Sequence, residues 1–339
     1  MESPRDFSAI ITGCGHFLPE QVVSSIEVEE RVRACGFDIP HGIIQRLTGV
    51  AYRRYCPEGV SSDLAAEAAR LALQDAGLSP LDIDLLIFAS ATHDVAEPAT
   101  AGILQAKTGC LRAHAMDIKN ACNSFLNALD VASGYIELGR ARRVLIACGE
   151  VLSPVINWQI QDPTDFLRKI AALTLGDGGG ACILEAASPD GRGVLPGKFF
   201  SDGRHWQLST VLSGGTLLKR DASRFYFESE SARLYSLALE HIPTLMSKVL
   251  QDLSWELSDV NMMIPHQVSI SIIKEFCRIL DYPLERCMVT VDRLGNIAAA
   301  SIPVAISLAR LEGRIRTGDR LLLVGGAAGF SAGVVPVVF

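Results

Sequence analysis

Leu73-Gln74-Asp75 recurs 177 positions further along the chain as Leu250-Gln251-Asp252, and these triplets open the two stretches that decide the fold. Residues 73–149 align with residues 250–326, and we expect the alignment to hold without a gap. The pattern repeats too: a helix, an Asp-led turn, an apolar strand, and a small-residue turn into a second helix and strand. The sequence therefore predicts two half-chains of one topology in one pseudo-symmetric core, with a site at their junction that draws residues from both. Further identities at this shift are Asp82 with Asp259, Ile87 with Ile264, Ala128 with Ala305, Ala132 with Ala309, Leu145 with Leu322 and Gly149 with Gly326.

Short apolar runs alternate with segments of helical periodicity in both halves. Continuous apolar runs are typical of strands buried on both faces, and helices between such strands predict an α/β layered architecture. The spacing of Phe125, Leu129, Ala132 and Ile136 predicts a helix directly after Cys122. The other predicted helices are 62–74, 99–107, 232–250, 270–280 and 298–311, and the predicted strands include 85–89, 113–118, 144–147, 262–265, 288–291 and 321–324.

Length and composition indicate a globular protein of about two domains of about 150 residues each. The chain has 339 residues, of which 49% are hydrophobic and 20% charged, as expected for a sizeable core. We place the halves at residues 1–187 and 188–339, because Gly- and Pro-containing loops lie between them.

Charge and cysteine content indicate which binding partners and which cellular compartment to expect. The net charge of −7 and the lack of a Lys/Arg cluster argue against nucleic-acid binding. Nine scattered cysteines without CxxC pairs predict reduced thiols and a cytoplasmic location. Neither a secretory signal nor an apolar run long enough to span a membrane is recognisable.

Three chemically useful residues fall at matching corners of the two halves. Cys122 stands at the start of a helix, where the helix dipole and free N–H groups are expected to lower the thiol pKa and to hold an oxyanion. The 177-residue shift carries Cys122 to Ala299, close to Asn296, and carries Ala89 to His266. The pattern indicates a nucleophile, a base or hydrogen-bond donor, and an orienting amide.

Each of these residues also has a structural explanation. Most cysteines are small buried hydrophobes, a histidine after a strand is commonly structural, and asparagine after glycine commonly forms a turn. Their joint placement favours function. The segment 176–180, Gly-Asp-Gly-Gly-Gly, is expected to be a tight turn rather than a phosphate loop, because no Lys-Ser/Thr follows it. The other histidines show no metal-ligand spacing, so no metal is predicted.

The motifs around these residues resemble those of the thiolase-fold condensing enzymes, specifically the ketoacyl-ACP synthase III branch. The resemblance rests on Asp117-Ile118-Lys119-Asn120-Ala121-Cys122, Pro265-His266-Gln267 and Gly295-Asn296-Ile297-Ala298-Ala299-Ala300-Ser301. It covers nearly the whole chain and includes segments 176–178 and 329–333. It implies a thiolase fold, in which two duplicated halves form a five-layered αβαβα core.

The resemblance also implies roles for individual residues. Cys122 would take an acyl group from a thioester, and His266 and Asn296 would serve the second thioester, whose enolate attacks the acyl-enzyme. The N–H groups of Cys122 and Ala328 would form an oxyanion hole. No cofactor is implied, because the substrates are carried on CoA or on the phosphopantetheine of an acyl carrier protein, which would be a partner.

Some segments depart from the ordinary synthase pattern. The CoA-clamping Trp-x-x-x-Arg stretch appears as residues 43–47, Ile-Ile-Gln-Arg-Leu, and the basic residue linked to carrier-protein docking is Ser271. Residues 96–100, Ala-Glu-Pro-Ala-Thr, resemble instead a loop of the olefin-pathway condensing thiolases and α-pyrone-forming ketosynthases. There the glutamate reaches into the partner subunit's site. Without the resemblance, Glu97 is expected to be a solvated loop residue.

The choice of second substrate depends on Glu97. A malonyl donor forms its enolate by losing CO2, whereas a plain acyl or β-ketoacyl thioester needs a base for its α-proton. We expect Glu97 to be that base, with a pKa raised in a partly dry pocket. The leading interpretation is therefore non-decarboxylative Claisen condensation that gives a β-keto or pyrone-type product, in a homodimer built on edge elements of the first half.

Several alternatives remain at this point. The first is the decarboxylative synthase III reaction. A cysteine hydrolase or acyltransferase shares the order Cys, His, Asn, but the papain-type Cys-Gly-Ser-Cys-Trp motif is absent and a duplicated α/β core is a different fold. An idle subunit of a heterodimeric ketosynthase is disfavoured by the intact Cys122, His266 and Asn296.

Overall fold

The helices and strands follow the predicted alternation closely. The structure is a computed structural model that describes residues 7–218 and 221–339. The strands, in chain order, are β1 Ser8–Phe17, β2 Gln21–Ser24, β3 Tyr52–Tyr55, β4 Leu85–Ala89, β5 His114–Ile118, β6 Arg143–Glu150, β7 Gly178–Ala187, β8 Gly193–Val194, β9 Lys198–Ser201, β10 Ser209–Val211, β11 Phe227–Ser229, β12 Met262–Pro265, β13 Arg320–Ala327 and β14 Ser331–Val338. The helices are α1 Ser25–Ala34, α2 Ile43–Thr48, α3 Ser61–Ala76, α4 Thr100–Thr108, α5 Ser124–Glu137, α6 Pro163–Lys169, α7 Ser231–Leu253, α8 Ile270–Ile279, α9 Val291–Leu294 and α10 Ser301–Leu311.

Two five-stranded mixed sheets form the core. In the first sheet the strand order is β1-β7-β6-β4-β5, with β4 parallel to β5 and β6, and β7 antiparallel to β6 and β1. In the second sheet β12 lies parallel to β13, β14 lies antiparallel to β13, and β8 and β9 both pair with β14. Four strands of the first sheet, β4, β6, β7 and β1, therefore have counterparts in the second, β12, β13, β14 and β8, whereas β5 has none.

Side chains alternate between the two faces of each sheet and so divide the core into layers. Leu85 and Ile87 pack against the central helices α5 and α10, whereas Leu86 and Phe88 pack against α3 and α4. In the second sheet Ile264 faces the central helices, and its neighbours in β12 and β13 on the other face pack against α7 and α8. The resulting order, α-β-α-β-α, is the five-layered thiolase fold that the resemblance implied.

The predicted shift of 177 residues holds for most of the repeated elements. α3 and α7 end at Ala76 and Leu253, and β4 and β12 begin at Leu85 and Met262. The shift also relates the first residues of α5 and α10, which are Ser124 and Ser301, and those of β6 and β13. These elements are the ones that build the junction between the halves.

The prediction of a gapless repeat was wrong for the middle of each half. At the same shift α4 would correspond to 277–285, but α8 covers Ile270–Ile279. The cause is the connection after the first parallel strand, which spans residues 90–99 in the first half and only 266–269 in the second. The predicted strand at 288–291 was also wrong: one bridge joins Met263 to Cys287, and the chain then turns into α9.

The first sheet ends at Ala187 in β7, and the second begins at Gly193 in β8. We propose that the two halves divide in this connection, at residues 187 and 188. None of the helices formed by residues 7–218 and 221–339 combines the length and the hydrophobicity that a membrane span needs.

Candidate active site

Cys122 lies in a tight turn between β5 and α5. Ala121 has a positive φ of 46°, and α5 begins at Ser124. The Ser124 hydroxyl accepts a hydrogen bond from the Asn120 N–H at 2.8 Å and donates one to the Ala121 carbonyl at 2.7 Å. The serine therefore fixes the turn that presents the cysteine.

The predicted lowering of the Cys122 pKa was wrong. Burial, followed by the charge of Glu150, raises the pKa of the Cys122 thiol to about 12, against a smaller lowering from its own backbone N–H. Because the influence of a helix dipole is confined to the first turn and Cys122 precedes α5, loss of solvation dominates. Cys122 is half-buried, so part of the residue stays accessible although its thiol is surrounded by protein.

Glu150 is a site residue that the sequence reasoning missed. It ends β6 and is fully buried. Its Oε1 accepts hydrogen bonds from the N–H groups of Ala91 at 2.7 Å and Ala299 at 3.2 Å. Its Oε2 accepts from the N–H of Thr92 at 3.0 Å and from the Thr92 hydroxyl at 2.8 Å. Burial outweighs these four hydrogen bonds and raises the pKa of Glu150 to about 7. The available signal was an acidic residue at the end of an apolar strand.

His266 directly follows β12. Its N–H donates to the Val324 carbonyl at 2.7 Å, and its Nδ1 lies 2.8 Å from the hydroxyl of Ser301, the first residue of α10. Burial lowers the pKa of His266 to about 4, so the ring is neutral at pH 7. In the described part of the chain Nε2 has no hydrogen-bond partner, which leaves it for a ligand.

The next residue, Gln267, explains why no strand forms at 288–291. Its buried side chain donates to the carbonyls of Pro265 at 2.8 Å and Met288 at 2.9 Å. It accepts from the N–H groups of Thr290 at 2.8 Å and Val291 at 3.2 Å. This amide makes the hydrogen bonds that a regular strand at residues 288–291 would make.

Asn296 follows a glycine whose conformation the fold requires. Gly295 has a positive φ of 67°, and a Cβ there would lie 2.5 Å from the Thr174 carbonyl oxygen. The backbone of Asn296 pairs with Thr174 and Gly176, at 2.9 and 3.0 Å. Its Oδ1 accepts from the Ala298 N–H at 2.9 Å. Among the described residues no partner holds Nδ2, so the amide can donate to a substrate. Segment 176–178 is thus the structural turn that supports Asn296.

A chain of contacts brings the turn of Cys122 to the second half. The side chain of the adjacent Asn123 donates to the Ser331 hydroxyl at 2.9 Å. It also packs so closely on Gly325 that any Cβ at Gly325 would overlap it. Gly325 follows Val324, the residue that bonds to the backbone of His266.

Glu150 connects the turn after Asn296 to the first half. The bond from the Ala299 N–H holds the turn after Asn296 against the end of β6, and the charge of Glu150 acts on the Cys122 thiol. The structure therefore places Cys122, His266 and Asn296 at the junction of the two halves.

The two remaining predicted site residues, Ala328 and Glu97, lie in different surroundings. Ala328 lies in the turn between β13 and β14, three residues before Ser331, and its N–H donates to no backbone carbonyl of the described residues. Glu97 lies in the irregular loop 90–99 and is exposed. The expected dry pocket around Glu97 is therefore not formed within one chain, and only a partner could supply it.

The duplicated five-layered core and the Cys, His and Asn at its junction define a thiolase-fold condensing enzyme. The family model described as 3-oxoacyl-[acyl-carrier-protein] synthase III matches residues 116–203, and its C-terminal model matches residues 250–338. The first region contains Cys122, and the second contains His266 and Asn296.

Curated relatives extend the match over the whole chain. The β-ketoacyl-[acyl-carrier-protein] synthase III of Bordetella petrii is 32% identical, covering 96% of this chain and 97% of its own. That of Rhizorhabdus wittichii is 34% identical, covering 97% and 98%. The chain belongs to the β-ketoacyl-[acyl-carrier-protein] synthase III family, whose members are C–C bond-forming acyltransferases.

The chain is similar to solved structures of two kinds, synthase III enzymes and OleA. The synthase III of Aquifex aeolicus is 29% identical with a TM-score of 0.86, covering 98% of this chain and 100% of that chain. OleA of Xanthomonas campestris, solved with bound lauric acid and lauroyl-CoA, is 26% identical with a TM-score of 0.88, covering 98% and 99%. The curated names favour the decarboxylative alternative over the non-decarboxylative interpretation that led in the sequence analysis.

Proposed function

We propose that the protein transfers an acyl group to Cys122 and condenses it with a malonyl thioester in a decarboxylative reaction. The observation that carries the proposal is the junction of the two halves, where His266, Asn296 and the half-buried Cys122 all lie. Among the described residues, His266 Nε2 and Asn296 Nδ2 have no hydrogen-bond partner. The names of the curated relatives support malonyl as the second substrate.

The first step forms a thioester on Cys122. Its Sγ attacks the acyl carbonyl, the bond to the carrier sulfur breaks, and the thiol proton ends on the departing thiol of CoA or phosphopantetheine. Because the pKa of Cys122 is about 12, the proton is still on sulfur when the substrate arrives. The N–H groups of Cys122 and Ala328 would hold the oxyanion.

The second step forms the carbon–carbon bond. The malonyl group loses CO2, and the resulting enolate oxygen accepts hydrogen bonds from His266 Nε2 and Asn296 Nδ2. The enolate carbon attacks the acyl carbonyl, and Cys122 Sγ leaves as a thiolate, which then takes a proton from solvent. A neutral His266 can donate from Nε2 only if its Nδ1 accepts, so the Ser301 hydroxyl donates to Nδ1. The low pKa of His266 suits this role.

A second candidate is the non-decarboxylative condensation of two acyl thioesters. It is favoured by the loop that carries Glu97 and by the likeness to OleA. In that reaction the α-proton of the second substrate passes to the Glu97 carboxylate, and no CO2 is lost.

We also propose a homodimer in which loop 90–99 meets a second subunit. β5 is the edge strand of the first sheet, and its residues are exposed or half-buried in the single chain. An unpaired edge is a ready surface for strand pairing. Pairing at β5 would bring loop 90–99, which carries Glu97, towards the partner's site. The partner would then cover Glu97.

Glu97→Gln separates the two chemistries. Product formation is measured from acyl plus malonyl thioester and from two acyl thioesters, with Glu58→Gln, another exposed glutamate, as the matched control. The proposal predicts product from the malonyl mixture with little effect of either variant. Product from two acyl thioesters that Glu97→Gln abolishes and Glu58→Gln preserves would establish the second candidate instead.

A further inference from the structure

Glu150 is a buried carboxylate to which two parts of the site are attached. Its four hydrogen bonds come from the first residues of loop 90–99, Ala91 and Thr92, and from the turn after Asn296, through Ala299. These donors belong to both halves of the chain. Burial of a carboxylate costs solvation free energy, but only a carboxylate can accept these four hydrogen bonds on its two oxygens.

The position of Glu150 breaks the repeat between the halves. The 177-residue shift carries Glu150 to Ala327 in the second half and carries Cys122 to Ala299. Glu150 therefore accepts a hydrogen bond from Ala299, which is the residue of the second half that corresponds to Cys122. An acid at this position is thus present in the half that carries Cys122, whereas the other half has Ala327 there.

Hydrogen bonds at two points, Thr92 and Asp94, hold the loop that carries Glu97. Thr92 is held by Glu150, and its hydroxyl also lies 2.7 Å from that of Ser61 in α3. Asp94 accepts from the N–H and the hydroxyl of Ser62, and its own N–H donates to Thr100. Residues 95–99 beyond these anchors are exposed. Glu150 therefore holds the base of the loop, and Ser61 and Ser62 of α3 hold the residues that follow.

We propose that Glu150 is a positioning residue, which holds the base of loop 90–99 and the turn after Asn296 in fixed places relative to Cys122. The proposal rests on the proposed function in that Cys122 is taken as the nucleophile. Replacement by Gln keeps the shape but removes the charge, and its NH2 group would face N–H donors that need an acceptor. At least one of the attached segments is then released.

The charge of Glu150 provides a readout that a structural role alone would not change. Among the described residues, this charge acts on Cys122 and Cys148, whose pKa values it raises, and on Lys119, whose pKa it raises against the lowering by burial. In Glu150→Gln the pKa of Cys122 falls, so its thiolate fraction rises about tenfold for each pKa unit. Because Glu150 itself titrates at about 7, the difference from wild type shrinks as the pH falls towards 6.

The experiment measures the rate at which a small methanethiosulfonate reagent modifies Cys122 between pH 6 and 9.5, with the site confirmed by peptide mass spectrometry. The matched control is Asp177→Asn, because Asp177 is also fully buried and also holds separate segments through hydrogen bonds to Cys56, Leu152 and Ser153. Substrate turnover is not needed, so failure of this test is distinct from failure of the proposed function.

We expect Glu150→Gln to be modified several-fold faster than wild type at pH 9 and about equally at pH 6, with the Asp177→Asn ratio constant across this range. Condensation should fall more than acylation in Glu150→Gln. If Glu150→Gln does not fold, Thr92→Val serves, because loss of its hydroxyl raises the pKa of Glu150 and should change the Cys122 rate in the same direction. A rate profile parallel to wild type in the folded variants, or the same change in Asp177→Asn, would overturn the proposal.

Discussion

Replacement of His266 by Asn should remove most of a pH-dependent contribution to stability. The folded-state pKa of His266 is about 4, below its ordinary value of 6.5, because burial disfavours the imidazolium. Between these values the unfolded chain binds more protons than the folded one, so this group makes wild type more stable as the pH rises from 4 to 6.5. A difference of two and a half pKa units corresponds to about 3 kcal/mol of unfolding free energy.

The assay is urea unfolding of wild type and His266→Asn at several pH values from 4 to 7.5. Glu150 acts in the opposite direction, because its folded pKa of about 7 lies above its ordinary value of 4.5 and its stability contribution is lost as the pH rises between them. This contribution is present in both proteins and cancels in their difference. Asn296→Ala, which removes a side chain that does not titrate, should lower stability equally at every pH. A His266→Asn difference that is also constant with pH would refute a neutral buried imidazole.

Three further predictions follow from the site and the fold. Asn296→Ala should depress product formation more than acylation of Cys122, because the amide is assigned to the second substrate; equal losses in intact-mass and product assays would contradict that assignment. Gly325→Ala should destabilise the protein by about 1–3 kcal/mol in urea titrations, since its Cβ would overlap Asn123. Gly102→Ala in α4, which meets nothing within 4 Å, is the control, and comparable losses in both would count against the packing argument. In light scattering the protein should have about twice its 36.5 kDa mass, and an active monomer would exclude the proposed dimer.

The layered fold was predictable because its signals are local or periodic. Runs such as Leu85–Ala89 are apolar without interruption since both faces of the sheet are covered, and this is visible in the sequence. The repeat shift also relates the first residues of α5 and α10, Ser124 and Ser301, although the second helix was predicted to begin at 298. It failed where the connections of the two halves differ in length, and it failed at 288–291 because the side chain of Gln267 makes the hydrogen bonds that a strand would make.

The chemical state of the site was less predictable than its residues. Motif and position together singled out Cys122, His266 and Asn296. The pKa of Cys122, however, depends on burial and on Glu150, which reaches the site through tertiary packing. The surroundings of Glu97 depend on a second chain, which no intramolecular contact can reveal. Sequence patterns thus identify the groups, while the packing sets their protonation.

The most direct test of the central claim is intact-mass spectrometry of the protein loaded with an acyl-CoA and then treated with a malonyl thioester. We predict one acyl adduct per chain, mapped to Cys122 and absent in Cys122→Ala. Addition of the malonyl thioester should remove the adduct and yield a β-ketoacyl product with release of CO2. An adduct on another cysteine such as Cys148, or loss of the Cys122 adduct only as free acid, would contradict the account.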